Sequence, residues 1–204
     1  MSSNSAEECP ENISDRLVIA VGASAGGLKE VALLVEMLPV WFEGTVIIAC
    51  HREPDRPNML ANILAHRARV EVKEPHDDEC MEETTVYIGR PSDSVSVEPG
   101  GKFEVVSDKS MRSRRRRIDD LFTSVAEAAK DNSVGVIFSG MLSDGMEGLR
   151  AIHNAGGFCI VQSPEDAQYD SMPRNALKAV PVSYVGTTEE IASMLLEYSL
   201  VREI

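Results

Sequence analysis

Short apolar runs, each closed by glycine or a polar turn and followed by an amphipathic stretch, recur along the chain. The first is RLVIAV (16–21), which stops at the glycine-rich turn GASAGG. In the following LKEVALLVEMLP, the apolar residues Leu28, Val31, Ala32 and Val35 recur at helical spacing and Pro39 ends the segment. TVIIAC (45–50) has the composition of a buried strand, residues 58–67 read as a helix, and RVEVKEP (69–75) alternates like a strand with one exposed face. TTVYIG (84–89) is a further strand, and SVSVEPGGKFEVVS (94–107) reads as two strands joined by a glycine turn. IDDLFTSVAEAAK (118–130) places Ile118, Leu121, Phe122, Val125 and Ala129 on one helical side. Strand VGVIFSG, helix 145–155, strand FCIVQ, a helix opened by Pro173, strand PVSYVG and a last helix TEEIASMLLEYSL complete the pattern.

This alternation predicts a doubly wound α/β fold, a mostly parallel sheet with helices on both faces and a small antiparallel hairpin appendage. The 204 residues and 43% hydrophobic content suffice for one core and are short for two, so residues 16–204 are expected to form one domain. Residues 1–15 are polar and acidic, without the basic start and apolar stretch of a secretory signal, and read as a flexible tail. No apolar run approaches the roughly 20 residues needed to cross a bilayer. A cytoplasmic protein without membrane insertion is expected. Cys9, Cys50, Cys80 and Cys159 form no C-x-x-C pair, which predicts reduced thiols and neither a metal site nor a disulfide framework.

A net charge of −13 argues against nucleic acid or an anionic membrane as the main partner. Against that background Arg112, Arg114, Arg115, Arg116 and Arg117 crowd into six positions. They read either as a solvated loop before a helix or as a docking patch for an acidic partner.

The turn after the first strand, Gly22-Ala23-Ser24-Ala25-Gly26-Gly27, contains the G-x-S-x-G pattern of a nucleophile elbow. Small neighbours let the backbone bend tightly there, and free N–H groups at a helix start favour a developing negative charge. A similar turn also holds pyrophosphate in dinucleotide-binding folds, but that reading needs an acid at the end of the second strand, where Cys50 and His51 stand, with Glu53 two residues on. His51 follows TVIIAC directly and Asp144 lies a few residues past VGVIFSG, so Ser24, His51 and Asp144 all fall beyond carboxyl ends of strands, where the crevice of a parallel sheet lies. In the triad reading Ser24 attacks a carbonyl, His51 relays the proton and Asp144 orients the imidazole. Separately, each has a plainer role: a turn serine, a strand-end histidine, and the N-cap of a helix starting near Gly145. His66, His76 and His153 receive no role. Neither metal nor other cofactor is expected.

With these residues placed, the chain resembles the CheB family of chemoreceptor glutamate methylesterase catalytic domains, from about Arg16 to Leu200. The resemblance runs through VGASAGGL, His51, VYIG, RIDDLF with its preceding arginine, VIFSGMLSDGMEGL and AGGFCIVQSPEDAQYDSMPRNAL. It implies hydrolysis of glutamate methyl esters on methyl-accepting chemoreceptors, with deamidation of glutamines as a second activity, and backbone N–H groups of Ala25 and Met141 as the oxyanion hole. A glutamate-rich receptor helix would give the arginine run an acidic partner. The chain departs from the family pattern at Leu142, where glycine follows the methionine, at Cys50 in place of glutamine, and at Ser94 in place of histidine. Leu142 falls where the loop calls for positive φ. The family's receiver domain is not expected within this chain. A weakened domain that retains partner binding, and an esterase for another ester, are the alternative readings.

Overall fold

Among the described residues the apolar runs form nine strands: β1 (Val18–Ala23), β2 (Thr45–Cys50), β3 (Glu71–Lys73), β4 (Thr85–Ile88), β5 (Asp93–Val97), β6 (Phe103–Ser107), β7 (Ser133–Ile137), β8 (Phe158–Gln162) and β9 (Tyr184–Gly186). The amphipathic stretches form α1 (Leu28–Met37), α2 (Met59–Arg67), α3 (Met111–Ala129), α4 (Met146–Asn154), α5 (Ser171–Ala179) and α6 (Thr188–Val201). The structure is a computed structural model that describes residues 9, 13–53, 55, 57–108 and 110–201, with residues 111–114 described by their backbone alone.

Seven strands form one parallel sheet in the order β3-β4-β2-β1-β7-β8-β9, and β5 and β6 form a separate antiparallel hairpin. β1, β2 and β7 are buried along their whole length, because helices cover both faces. Alternate residues of β1 enter two cores. Val18 and Ala20 pack with Ile118, Phe122, Leu149 and Met172 of α3, α4 and α5. Ile19 and Val21 pack with Val31, Leu64 and Ile191 of α1, α2 and α6. The hairpin rests on the first of these layers through Val95, Val97 and Phe103, with the Phe103 ring 4.5 Å from that of Tyr87.

From β1 the chain winds outward to β2 and then crosses to β7 on the other side, so loops leaving the carboxyl ends of β1 and β7 diverge and open a crevice.

Three expectations need correction. α3 starts at Met111 instead of Ile118, so the arginine run forms its first turns and is not a loop. Residues 13–15, expected to end the tail, form a 3-10 turn whose Ile13 is buried; residues 1–8 and 10–12 lie outside the described residues. Finally, Cys9 is disulfide-bonded to Cys80, where four reduced thiols were expected. Cys80 forms a β-bridge with Lys102 beside the hairpin, and its Cα lies 5.7 Å from that of Cys9. A pairing across 71 residues leaves no trace in local spacing. Cys50 and Cys159 are free and buried. Among the described residues no helix is long and apolar enough to cross a membrane.

Candidate active site

Strand register brings the serine and histidine side by side. Ala23 of β1 pairs with Cys50 of β2, so the residues that follow, Ser24 and His51, leave adjacent strand ends together. The His51 N–H donates to the Ala23 carbonyl at 3.2 Å and the Ser24 N–H to the Ser139 carbonyl at 3.0 Å, extending the β2-β1-β7 ladder into the turn. Gly26 adopts φ +79°, and a Cβ there would lie 2.9 Å from both Ser139 Oγ and the Tyr169 ring. Only glycine meets both demands without displacement. Gly140 packs equally closely, since its missing Cβ would lie 2.8 Å from Ser24 Cβ.

The His51 ring joins the other two residues. Its Nδ1 lies 3.1 Å from Ser24 Oγ and its Nε2 lies 2.6 Å from Asp144 Oδ2. A carboxylate only accepts, so the Asp144 contact places the ring proton on Nε2 and leaves the Nδ1 lone pair facing the serine hydroxyl. This reverses the nitrogens of the serine-protease arrangement but keeps its logic of donor, relay and acceptor. The Asp144 side chain is 3% exposed, and His51 at 24% opens to solvent.

Asp144 is not the N-cap of α4; that position is Gly145, which makes no side-chain cap. Instead its carboxylate accepts N–H bonds from Ile118 at 3.1 Å and Asp119 at 2.9 Å on α3. Asp119 returns the contact: its Oδ1 accepts from the Gly145 N–H at 2.9 Å and the Gly148 N–H at 2.8 Å, so it caps α4 from a neighbouring helix. This clasp fixes the Asp144 loop against α3. Burial, and secondarily the adjacent Asp144 charge, hold the Asp119 carboxyl above its ordinary pKa. Sequence reasoning missed Asp119. The available signal was an acid on the buried helical face, three residues before Phe122 and seven before Ala126. Ser139 was also missed; it is fully buried, and its hydroxyl donates to the Ala25 carbonyl at 3.1 Å and accepts the Tyr169 N–H at 2.9 Å, bracing the serine turn.

A cleft of about 530 Å³, lined by His51, Arg52, Arg115, Arg117, Leu142, Ser143 and Asp144, opens over the ring. The arginine run is divided. Arg115 and Arg117 line the cleft, but Arg117 is buried and donates to the Cys50 carbonyl at 3.3 Å, so it is no solvated loop residue. Arg116 instead borders a hollow beside the hairpin and pairs with Asp120 at 3.3 Å. The side chains of Arg112 and Arg114 lie outside the described residues. Ser94 lines the same hairpin hollow, away from the cleft. Leu142 does adopt positive φ, +72°, and is 69% exposed. The backbone N–H groups of Ala25 and Met141 donate to no protein acceptor among the described residues. Burial pushes the Cys50 thiol up to about 11, against the pull of Arg52 and Arg117, so this neighbour of His51 stays protonated and unreactive near neutral pH.

Comparison with known proteins places the chain in a family. The family model described as CheB methylesterase matches residues 19–195. A Leptospira interrogans protein named as a protein-glutamate methylesterase/protein-glutamine glutaminase is 31% identical over 178 residues, covering 87% of this chain and 92% of its own length. Myxococcus xanthus protein-glutamate methylesterase FrzG is 31% identical over 83% of this chain, and the Salmonella typhi protein-glutamate methylesterase/protein-glutamine glutaminase is 30% identical over 90%; the chain spans about half the length of these two, 52% and 53%. The Thermotoga maritima CheB methylesterase catalytic domain shares the fold, with a TM-score of 0.82 over 90% of this chain and 98% of that one, at 24% identity. The chain belongs to the CheB methylesterase family.

Proposed function

We infer that the protein is a serine esterase that hydrolyses glutamate methyl esters on methyl-accepting chemoreceptors, with Ser24, His51 and Asp144 as its triad. The observation that carries this reading is the His51 ring, bonded through one nitrogen to Ser24 and through the other to Asp144. Ser24 Oγ attacks the ester carbonyl as its proton passes to His51 Nδ1, and Asp144 stabilises the imidazolium through Nε2. The N–H groups of Ala25 and Met141 receive the oxyanion; losing one such donor typically lowers turnover by roughly 10²–10³. His51 then protonates the departing methoxide, methanol leaves, and water activated by the same ring releases glutamate. A glutamine side chain follows the same course and loses ammonia. Arg115 and Arg117 supply positive charge at the cleft for an acidic substrate.

The test is methanol release from methylated chemoreceptor fragments by the wild type and by Ser24→Ala. Release by the wild type, reduced roughly 10⁴-fold or more in the variant, is expected. Equal release from both overturns the triad. No release from either correctly folded protein favours the alternative suggested by strained Leu142, a domain that binds its partner without turnover.

A further inference from the structure

Helix α2 carries two apolar stripes. Leu60 and Leu64 are buried in the core, whereas Met59 and Ile63, four residues apart and therefore on a common face, remain 60% and 47% exposed. Leu28, at the start of α1, is 41% exposed beside them. With Ala32 and Leu60 these side chains line a groove of about 650 Å³ between α1 and α2.

The groove reaches His51 and Arg52, which also line the cleft over the triad, so groove and cleft adjoin at the histidine as two arms of one surface. Its two arms differ in chemistry. Arg115 and Arg117 stand in the cleft arm and Arg52 at the junction, while the groove arm offers Leu28, Met59 and Ile63 with Glu53, Lys29 and Arg67 around them, the last two paired with Glu30 and Glu36. On a chain with net charge −13, Arg52, Arg115 and Arg117 at the cleft, with Lys29 and Arg67 at the groove rim, select an acidic occupant whose face toward α1 and α2 is apolar. An amphipathic acidic helix has that pattern, presenting apolar residues at i, i+3 and i+4 to a hydrophobic groove.

Building on the methylesterase reading, we propose that the α1–α2 groove is a docking subsite that takes the apolar face of the substrate helix, while the esterified glutamate of that helix enters the cleft at Ser24. Selection of an ester then depends on an apolar residue about one or two turns away along the substrate, roughly 5–11 Å.

The experiment uses two synthetic acidic helices that carry one glutamate methyl ester and have either leucines or alanines on the apolar face. They are compared on the wild type, on Met59→Glu/Ile63→Glu and on Val106→Glu, whose altered residue lies on the exposed hairpin. The wild type and Val106→Glu are expected to favour the leucine-faced helix in kcat/KM by roughly tenfold, and the double variant to lose that preference. A wild type without preference, or a preference that survives in the double variant, overturns the groove while leaving the esterase standing. Hydrolysis of p-nitrophenyl acetate by the wild type with neither helix as substrate overturns the methylesterase reading, and the groove falls with it.

Discussion

The Ser24 turn and the Met141–Leu142 loop leave neighbouring strands, and both require left-handed backbone, yet they are held in opposite ways. The Ser24 turn is held mainly by main-chain bonds, Ser24 N–H to the Ser139 carbonyl and Gly27 N–H to the Ser24 carbonyl, with the Ser139 hydroxyl on the Ala25 carbonyl as a brace, and Gly26 supplies φ +79° without strain. The second loop is fixed by side chains reaching in from elsewhere. Ser171 Oγ accepts the Leu142 N–H at 3.1 Å, Asn175 donates to the Leu142 carbonyl at 2.8 Å, and Asp119 holds Gly145 and Gly148, while Leu142 itself takes φ +72° with a branched side chain. The nucleophile therefore sits on a turn whose left-handed residue is an unstrained glycine, and the loop bearing Asp144 is only as well placed as its distant supports. Strain of this kind is tolerated where the surroundings over-determine the backbone.

The sharpest way to break the first region is Gly26→Ala. The new methyl would meet Ser139 Oγ and the Tyr169 ring at 2.9 Å in a conformation that itself costs an L-residue about 1–2 kcal/mol. A loss of about 2–4 kcal/mol in urea unfolding is expected once the overpacking is added, together with loss of turnover as the turn shifts. Unchanged stability would mean that the turn is less tightly determined than its contacts imply.

The second region is tested next through its clasp. Asp119→Ala leaves the Gly145 and Gly148 N–H groups without their acceptor and should cost about 2–3 kcal/mol. Asp119→Asn keeps an oxygen that can accept both bonds and removes a buried charge beside Asp144, so it should fall within about 1 kcal/mol of the wild type. Equal losses in the two variants would show that the charge, and not the acceptor, maintains the loop.

The same contrast explains what was legible in the sequence. The strands could be read because each is a continuous apolar run closed by a turn. Ser24, His51 and Asp144 could be read as neighbours because each falls just past a strand end, where a parallel sheet gathers its loops. Leu142 stood out because a glycine position held a residue that tolerates positive φ poorly. Asp119, Ser171 and Asn175 did not stand out, because their roles arise only when α3 and α5 pack beside the loop. The arginine run misled for a related reason: its charge suggests solvent, but packing turns Arg117 inward to the Cys50 carbonyl. The Cys9–Cys80 pairing likewise depends on where two distant segments pass.

The smallest expected effect separates backbone strain from side-chain contact at Leu142. Leu142→Gly relieves a left-handed penalty of about 1–2 kcal/mol but adds about 0.5–1 kcal/mol of unfolded-chain entropy, giving a net gain of up to about 1.5 kcal/mol. Leu142→Ala removes the same exposed side chain while keeping the left-handed penalty, so its urea midpoint should stay close to that of the wild type and below that of the glycine variant. If alanine and glycine raised the midpoint equally, the exposed leucine side chain would be the source of the instability and φ would not matter. The order glycine above alanine, with alanine near leucine, would place the strain in the backbone. The loop carrying Asp144 would then be held in a conformation its own sequence resists, through Ser171, Asn175 and Asp119, whereas in the Ser24 turn Gly26 takes the left-handed position without strain.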